Sequence, residues 1–406
     1  LTGNLVTASA KANEVGRWKA FSTWLTRDAN RSRAAQVAIG VGLAATMATC
    51  WLLWVSQREF PLVPLAPVPA LGDLPSWLSV ACVLAAPWIR FGRWIWAAFL
   101  LLAGWLVLGD VNRCQPWFYQ ACLMALAFAT VPQGPQGTRS GLDACRLVLA
   151  FTYLWSGLHK FNYGFAHDAY PYLFQPILER LPEGLAAMVR NAWPLAAGIE
   201  ALLGLGLFFA KSRPWAVVGL VAMHAFLLGL LGPLGINANS SVWPWNIGNA
   251  ALVFILFWNF HDKLGILERN PGWLARYAVV VLLGIMPVLN WFSLWPVYLS
   301  GALYTGNQAQ GLLLLTDEEA IRAPQSLADV LKSDGQRSYV NLSVWSLAAV
   351  NAPVFPEPWV LRRVAESLCR PESKPGAVTL AEFERPGLFG PLFKRHDVPC
   401  CGEVRP

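Results

Sequence analysis

The chain has 406 residues, 55% of them hydrophobic and only 14% charged, with 21 tryptophans and a formal net charge of +7. A soluble fold of this length carries roughly 25% charged residues, so this composition and a mean hydropathy of +0.42 exclude an ordinary water-soluble protein and point to a membrane protein. Nucleic acid is not an expected partner, because the basic residues are scattered among short connections rather than gathered in a patch.

In chain order, residues 1–33 are polar and amphipathic and form an N-terminal arm. Apolar runs follow at 34–55, 75–89, 94–109, 117–131, 142–160, 194–210, 215–232, 245–260 and 277–297. Most approach the ~20 residues that a helix needs to cross hydrocarbon. They predict an all-α polytopic membrane bundle of about nine spans over 34–298, with lipid as its surroundings. Charge placement agrees with that count. Lys11, Arg17, Lys19, Arg27, Arg31 and Arg33 precede the first run, and Arg90 and Arg93 follow the second. Arg139 and Arg146 lie between the fourth and fifth, Lys211 and Arg213 follow the sixth, and Lys263, Arg269 and Arg276 follow the eighth. Basic residues thus fall at every second connection, which places the N-terminus in the cytoplasm and the C-terminal segment outside.

Residues 299–406 change character and predict a small α/β extracytoplasmic domain. "GLLLLT" and "SYVNLSV" read as strands, and "PEPWVLRRVAESLC" as a helix with proline in its opening turn. Cys369, Cys400 and Cys401 lie on the side where disulfides persist, so a bridge from Cys369 to one of the adjacent pair is expected. No metal-ligand cluster stands out in the sequence.

Polar groups at membrane depth need a partner or a cavity. Glu200 sits in "PLAAGIEALLGLGLFFA", His224 in "VVGLVAMHAFLLGLL", Asn246 and Asn249 open "WPWNIGNAALVF", and Asn290 follows Pro287 by three residues. Lys160 ends an apolar run in "FTYLWSGLHKF". It either snorkels, with its ammonium among headgroups, or works inside the protein. His224 has a structural alternative as a neutral imidazole bonded between helices, and Glu200 as a protonated carboxyl. Three polar-aromatic connections, 109–121, 158–170 and 236–249, fall on the predicted outer face and could form an interfacial belt or the mouth of a cavity. Within the first of these, Asp110 and Arg113 are spaced for a local ion pair.

Four stretches carry a family resemblance: "GDVNRCQPWFYQACLMAL" (109–126), "YLWSGLHKFNYGF" (153–165), "AMHAFLLGLLGPLG" (222–235) and "LYTGNQ" (303–308). In order and spacing they resemble the vitamin K-dependent gamma-carboxylase-like proteins, the superfamily of the horizontally transferred transmembrane domain, distantly similar to DoxX-type membrane proteins. The resemblance implies a quinone as cofactor and Lys160 as the base toward its reduced form, and it makes His224 a candidate polar group of the cavity; an enzyme of this type would use His224 or Glu200 in support. The resemblance places His159, Tyr153, Trp117 and Asn246 around the quinone, and it implies a bacterial inner or plasma membrane. Trp117 stands where the true carboxylase carries a histidine, and the large substrate-binding extension is missing. Both departures argue against propeptide-directed carboxylation.

Three readings follow. The chain is a carboxylase-like enzyme on a lipid-soluble substrate, a non-catalytic subunit packed against other membrane subunits, or a DoxX-like factor passing electrons between quinone and outer-face thiols.

Overall fold

A computed structural model describes residues 20, 22–266, 268, 271–385 and 394–401. Most of the N-terminal arm, including Lys11, Arg17 and Lys19, and also Arg269, lies outside the described residues. The protein is mostly helical, with a small antiparallel sheet near its C-terminus.

The helical part comprises α1 (Asp28–Thr49), α2 (Leu74–Ala85), α3 (Gly92–Gly109), α4 (Pro116–Thr130) and α5 (Pro135–Leu158). Two short helices, α6 (Tyr170–Leu178) and α7 (Glu183–Asn191), precede α8 (Trp193–Gly206), α9 (Arg213–Leu231), α10 (Val242–Phe257) and α11 (Trp273–Phe292). Every apolar run of the sequence therefore lies on a helix. Three of these helices, α3, α9 and α11, are long and apolar enough to cross a membrane, while α2, α8 and α10 are apolar but shorter. Large apolar side chains face outward, Leu101 at 78% exposure and Trp215 at 77% among them. Water would not tolerate such a surface, and it fits membrane association.

Helix α5 runs through the centre and is buried on most of its circumference. It meets α8 at backbone distance, because each helix places a glycine at the crossing, Gly157 against Ala201 and Gly204 against Leu154. A Cβ on Gly157 would lie 2.2 Å from the Ala201 nitrogen, and one on Gly204 would lie 2.3 Å from the Leu154 nitrogen. Small residues allow this approach where the hydrophobic effect between helices is weak.

Four arginines gather at the end of the bundle away from Lys160. Arg31 donates to the carbonyls of Ile255, Leu256 and Trp258, and Arg146 to Leu256 O and Asp143. Arg213 donates to Phe260 O and Asp262 O, while Arg276 donates to Glu268 O. Read from sequence these were loop charges marking one side. They do share one end, but they are buried there, supplying donors to the orphan carbonyls at the end of α10 and beyond.

The C-terminal part contains β1 (Gln310–Leu315), α12 (Asp317–Ile321), α13 (Gln325–Ala328), β2 (Lys332–Ser333), β3 (Ser338–Asn341), α14 (Leu342–Val350), α15 (Pro358–Glu366), β4 (Val378–Phe383) and β5 (Arg395–Pro399). Strand order is β2-β3-β1-β4-β5, antiparallel throughout, with Leu313 opposite Val340 on one side and Leu380 on the other. The arrangement is thus α+β rather than alternating α/β. "SYVNLSV" splits: its strand ends at Asn341, whose side chain accepts from Ser343 N and starts α14. Such capping outcompetes the strand ladder for a short Asn–x–Ser step. Cys369 is bridged to Cys401, and Cys400 stays free.

The two parts dock through the segment following α14. Gln115 donates to Pro353 O (2.9 Å), Asn112 Oδ1 accepts from Phe355 N (3.0 Å), and Asn351 donates to Thr49 O (2.8 Å). Asp110 lies in the same region, but its nearest cation is Arg58 at 2.5 Å. Arg113 stands 3.9 Å from Asp110 and is held by the carbonyls of Leu53, Trp54 and Val55. The expected local pair is a long contact because a partner distant in sequence reaches the carboxylate first.

Candidate functional site

A cavity of about 510 Å³ lies between α5, α8, α9 and α10, within the size range of sites for drug-sized ligands. Its walls are largely apolar, formed by side chains such as Phe165, Leu173, Phe174, Met223 and Leu227. Leu195 and Ile199 of α8 line it and are also 67% and 56% exposed on the outer surface. The cavity is therefore flanked by the wall of the bundle near α8.

Its polar groups come from four helices. Tyr153 and Ser156 lie on the last turns of α5, and Lys160 follows just past its end, at spacings that keep all three on one face. The close α5–α8 crossing brings Glu200 opposite. Lys160 Nζ donates to Glu200 Oε2 at 2.5 Å and to Ser156 Oγ at 2.9 Å. The lysine is only 8% exposed. In this fold its ammonium is held by a carboxylate inside the protein, not spread among headgroups.

A second set is ordered by hydrogen-bond logic. Asn246 Nδ2 donates to Val242 O (2.8 Å), so its Oδ1 faces His224 and accepts from Nδ1–H (2.8 Å). His224 Nε2 then carries the lone pair and accepts the Tyr153 hydroxyl proton at 2.6 Å. The phenol oxygen keeps its own lone pairs beside the cavity.

Of the seven site residues predicted from sequence, Lys160, Glu200, Tyr153, His224 and Asn246 line this one cavity. His159 and Trp117 do not. His159 stacks on Trp155 with centroids 5.4 Å apart and meets Trp291 edge-on, on another side of α5. Adjacent residues at a helix end point about 100° apart, which separates His159 from Lys160. Trp117 packs on Trp54 and borders a second cavity of about 200 Å³ beneath the C-terminal part. Leu231, Trp245, Leu303 and Tyr304 line both cavities and form the partition between them.

Tyr304 was not singled out from sequence. It adopts a left-handed backbone (φ 51°), a costly conformation for a bulky residue, and its hydroxyl accepts from Asn239 Nδ2 at 3.0 Å. The turn is pinned by Gly306, where a Cβ would lie 2.4 Å from the Gly164 carbonyl, and by Asn162 donating to Thr305 O. Thus "LYTGNQ" is seated on "NYGF". Gln120 and Trp245, which hold Asn249, were also missed; the only available signal was a glutamine within an apolar helix.

No family model, curated protein or solved structure matches the chain.

Proposed function

We propose that the chain is a polytopic membrane protein of the gamma-carboxylase-like type that binds a lipid-soluble substrate, with a quinone as the candidate, in the cavity of α5, α8, α9 and α10. The observation that carries this reading is the convergence of Lys160, Glu200, Tyr153 and His224 on one apolar cavity beside the outer wall of the bundle. About nine spans, a cytoplasmic N-terminus and an external C-terminal part complete it. Its support is the helicity of every apolar run, the arginines gathered at one end, and the Cys369–Cys401 bridge, which suits an oxidising compartment. The cavity weighs against a purely packing subunit.

The residues present fit a flat ring with an apolar tail: the walls are apolar and the polar groups lie on α5, α8, α9 and α10. A quinone, when bound, would supply the redox chemistry. The chain's part is proton handling. Excluding water from the cavity disfavours separated charges. Passing the shared proton from Lys160 Nζ to Glu200 leaves a neutral amine able to accept a proton from a substrate hydroxyl.

The test is extraction of lipids from detergent-purified protein followed by mass spectrometry. Wild type should carry a lipid-soluble ring compound, and Ala222→Trp, which fills the cavity from α9, should lose it while unfolding at a similar temperature. Equal content in both would refute the reading.

A further inference from the structure

We infer that Asn249 reads an acceptor oxygen on the occupant of this cavity, which makes the ligand an uncharged lipophile bearing a carbonyl, ester or ether oxygen. The inference rests on the reading of the cavity as a lipophile site, and adds the functional group and the residue that recognises it.

A relay of three side chains fixes the orientation of the asparagine. Indole Nε1–H can only donate, and Trp245 donates to Gln120 Oε1 at 2.9 Å. That turns the glutamine so that its Nε2 donates to Asn249 Oδ1 at 2.8 Å. Asn249 is then left with its Nδ2 as a donor, and this atom is buried with no partner in the protein. Both amides are deeply buried, Gln120 at 5% exposure and Asn249 at 1%. Among the described residues lining the cavity, Asn249 Nδ2 is the one fully buried side-chain nitrogen or oxygen without a hydrogen bond.

The rest of the cavity's polar inventory defines the ligand by elimination. Lys160 and Glu200 neutralise one another, and His224 is held between Tyr153 and Asn246. A charged ligand would have to break the ion pair. A neutral oxygen needs only the donor that Asn249 offers. Because an unmade buried hydrogen bond is costly, a donor fixed in this way discriminates strongly for an acceptor. Asn249 also borders a small void of about 30 Å³, roomy enough to hold a water, and a water seated there is the competing partner.

Two probes decide between these partners: phenyl decyl ketone and undecylbenzene, which differ by one oxygen in place of two hydrogens. Their binding is measured to full-length protein in nanodiscs by equilibrium partition of labelled probe. Wild type should bind the ketone about tenfold more tightly, the discrimination of one hydrogen bond. Asn249→Leu should bring the two to parity while keeping affinity for undecylbenzene, which reports an intact cavity. Gln120→Leu, which frees the asparagine to turn, should lower the ratio as well. Parity in wild type, or a ratio that survives Asn249→Leu, overturns the inference and leaves the cavity reading standing. If neither probe binds, the cavity reading falls and the inference with it.

Discussion

The pairing of Lys160 with Glu200 makes a prediction that a snorkelling lysine does not. The two charges are 2.5 Å apart, with side chains 10% and 13% exposed. Lys160→Met strands a carboxylate in an apolar wall, and Glu200→Leu strands an ammonium. Removing one member of a buried pair costs about 3–5 kcal/mol, because the survivor stays desolvated without compensation. The slight exposure of both side chains puts each single variant near the lower end, about 3 kcal/mol. The double variant loses both charges and fills the wall with apolar groups of similar length, so it should be more stable than either single. The cycle should therefore show a coupling of several kcal/mol, measured by thermal or SDS-induced unfolding in detergent. Lys160→Arg should retain most stability, since guanidinium can pair with the carboxylate, yet lose any function that requires a neutral amine. Additive single effects, or a Lys160→Met variant as stable as wild type, would refute the argument that this pair is buried and coupled.

Four further outcomes are expected. Gly157→Ala would press a methyl group onto the Ala201 backbone 2.2 Å away, so α5 and α8 must separate, at a cost of about 1–3 kcal/mol in unfolding experiments. Gly104→Ala in α3, where nothing lies within 4 Å of the added carbon, should be neutral or stabilising by up to about 1 kcal/mol. Burial pushes the Cys400 thiol up to about 11, which favours the protonated form. Its alkylation by iodoacetamide, followed by mass spectrometry with the neighbouring bridge intact, should be slow at neutral pH and rise about tenfold per pH unit until pH approaches that value. Arg146→Met should destabilise by about 3–5 kcal/mol, because Asp143 then loses its 2.7 Å partner at a buried site. A surface topology charge would be replaceable at little cost.

Much of the helical layout was legible, because an apolar run flanked by turn residues becomes a helix whatever surrounds it. Each of the nine runs is helical, from α1 to α11. The strand "GLLLLT" and the helix "PEPWVLRRVAESLC" were also readable, through local propensity and a proline start. The antiparallel order of the sheet was not, since strand neighbours are chosen by long-range pairing. Of the five site residues that line the cavity, Lys160, Glu200, His224 and Asn246 could be picked out because a polar group among apolar ones is conspicuous, while Tyr153 was named only through the family resemblance. The contacts of all five were not legible. Nothing local tells that Lys160 meets Glu200, that Arg58 reaches Asp110 before Arg113 does, or that His159 turns away from its neighbour.

From sequence alone, then, came the apolar helices, their charge alternation and the handful of polar residues that hydrocarbon would not tolerate unpaired. Those properties are set by each residue's own transfer free energy and by helical period. Only the tertiary structure decided which polar groups share a cavity, because this depends on two glycines letting α5 and α8 touch and on a relay through Trp245, Gln120 and Asn249. Such contacts join residues far apart in the chain, and their geometry exists only once the helices have packed.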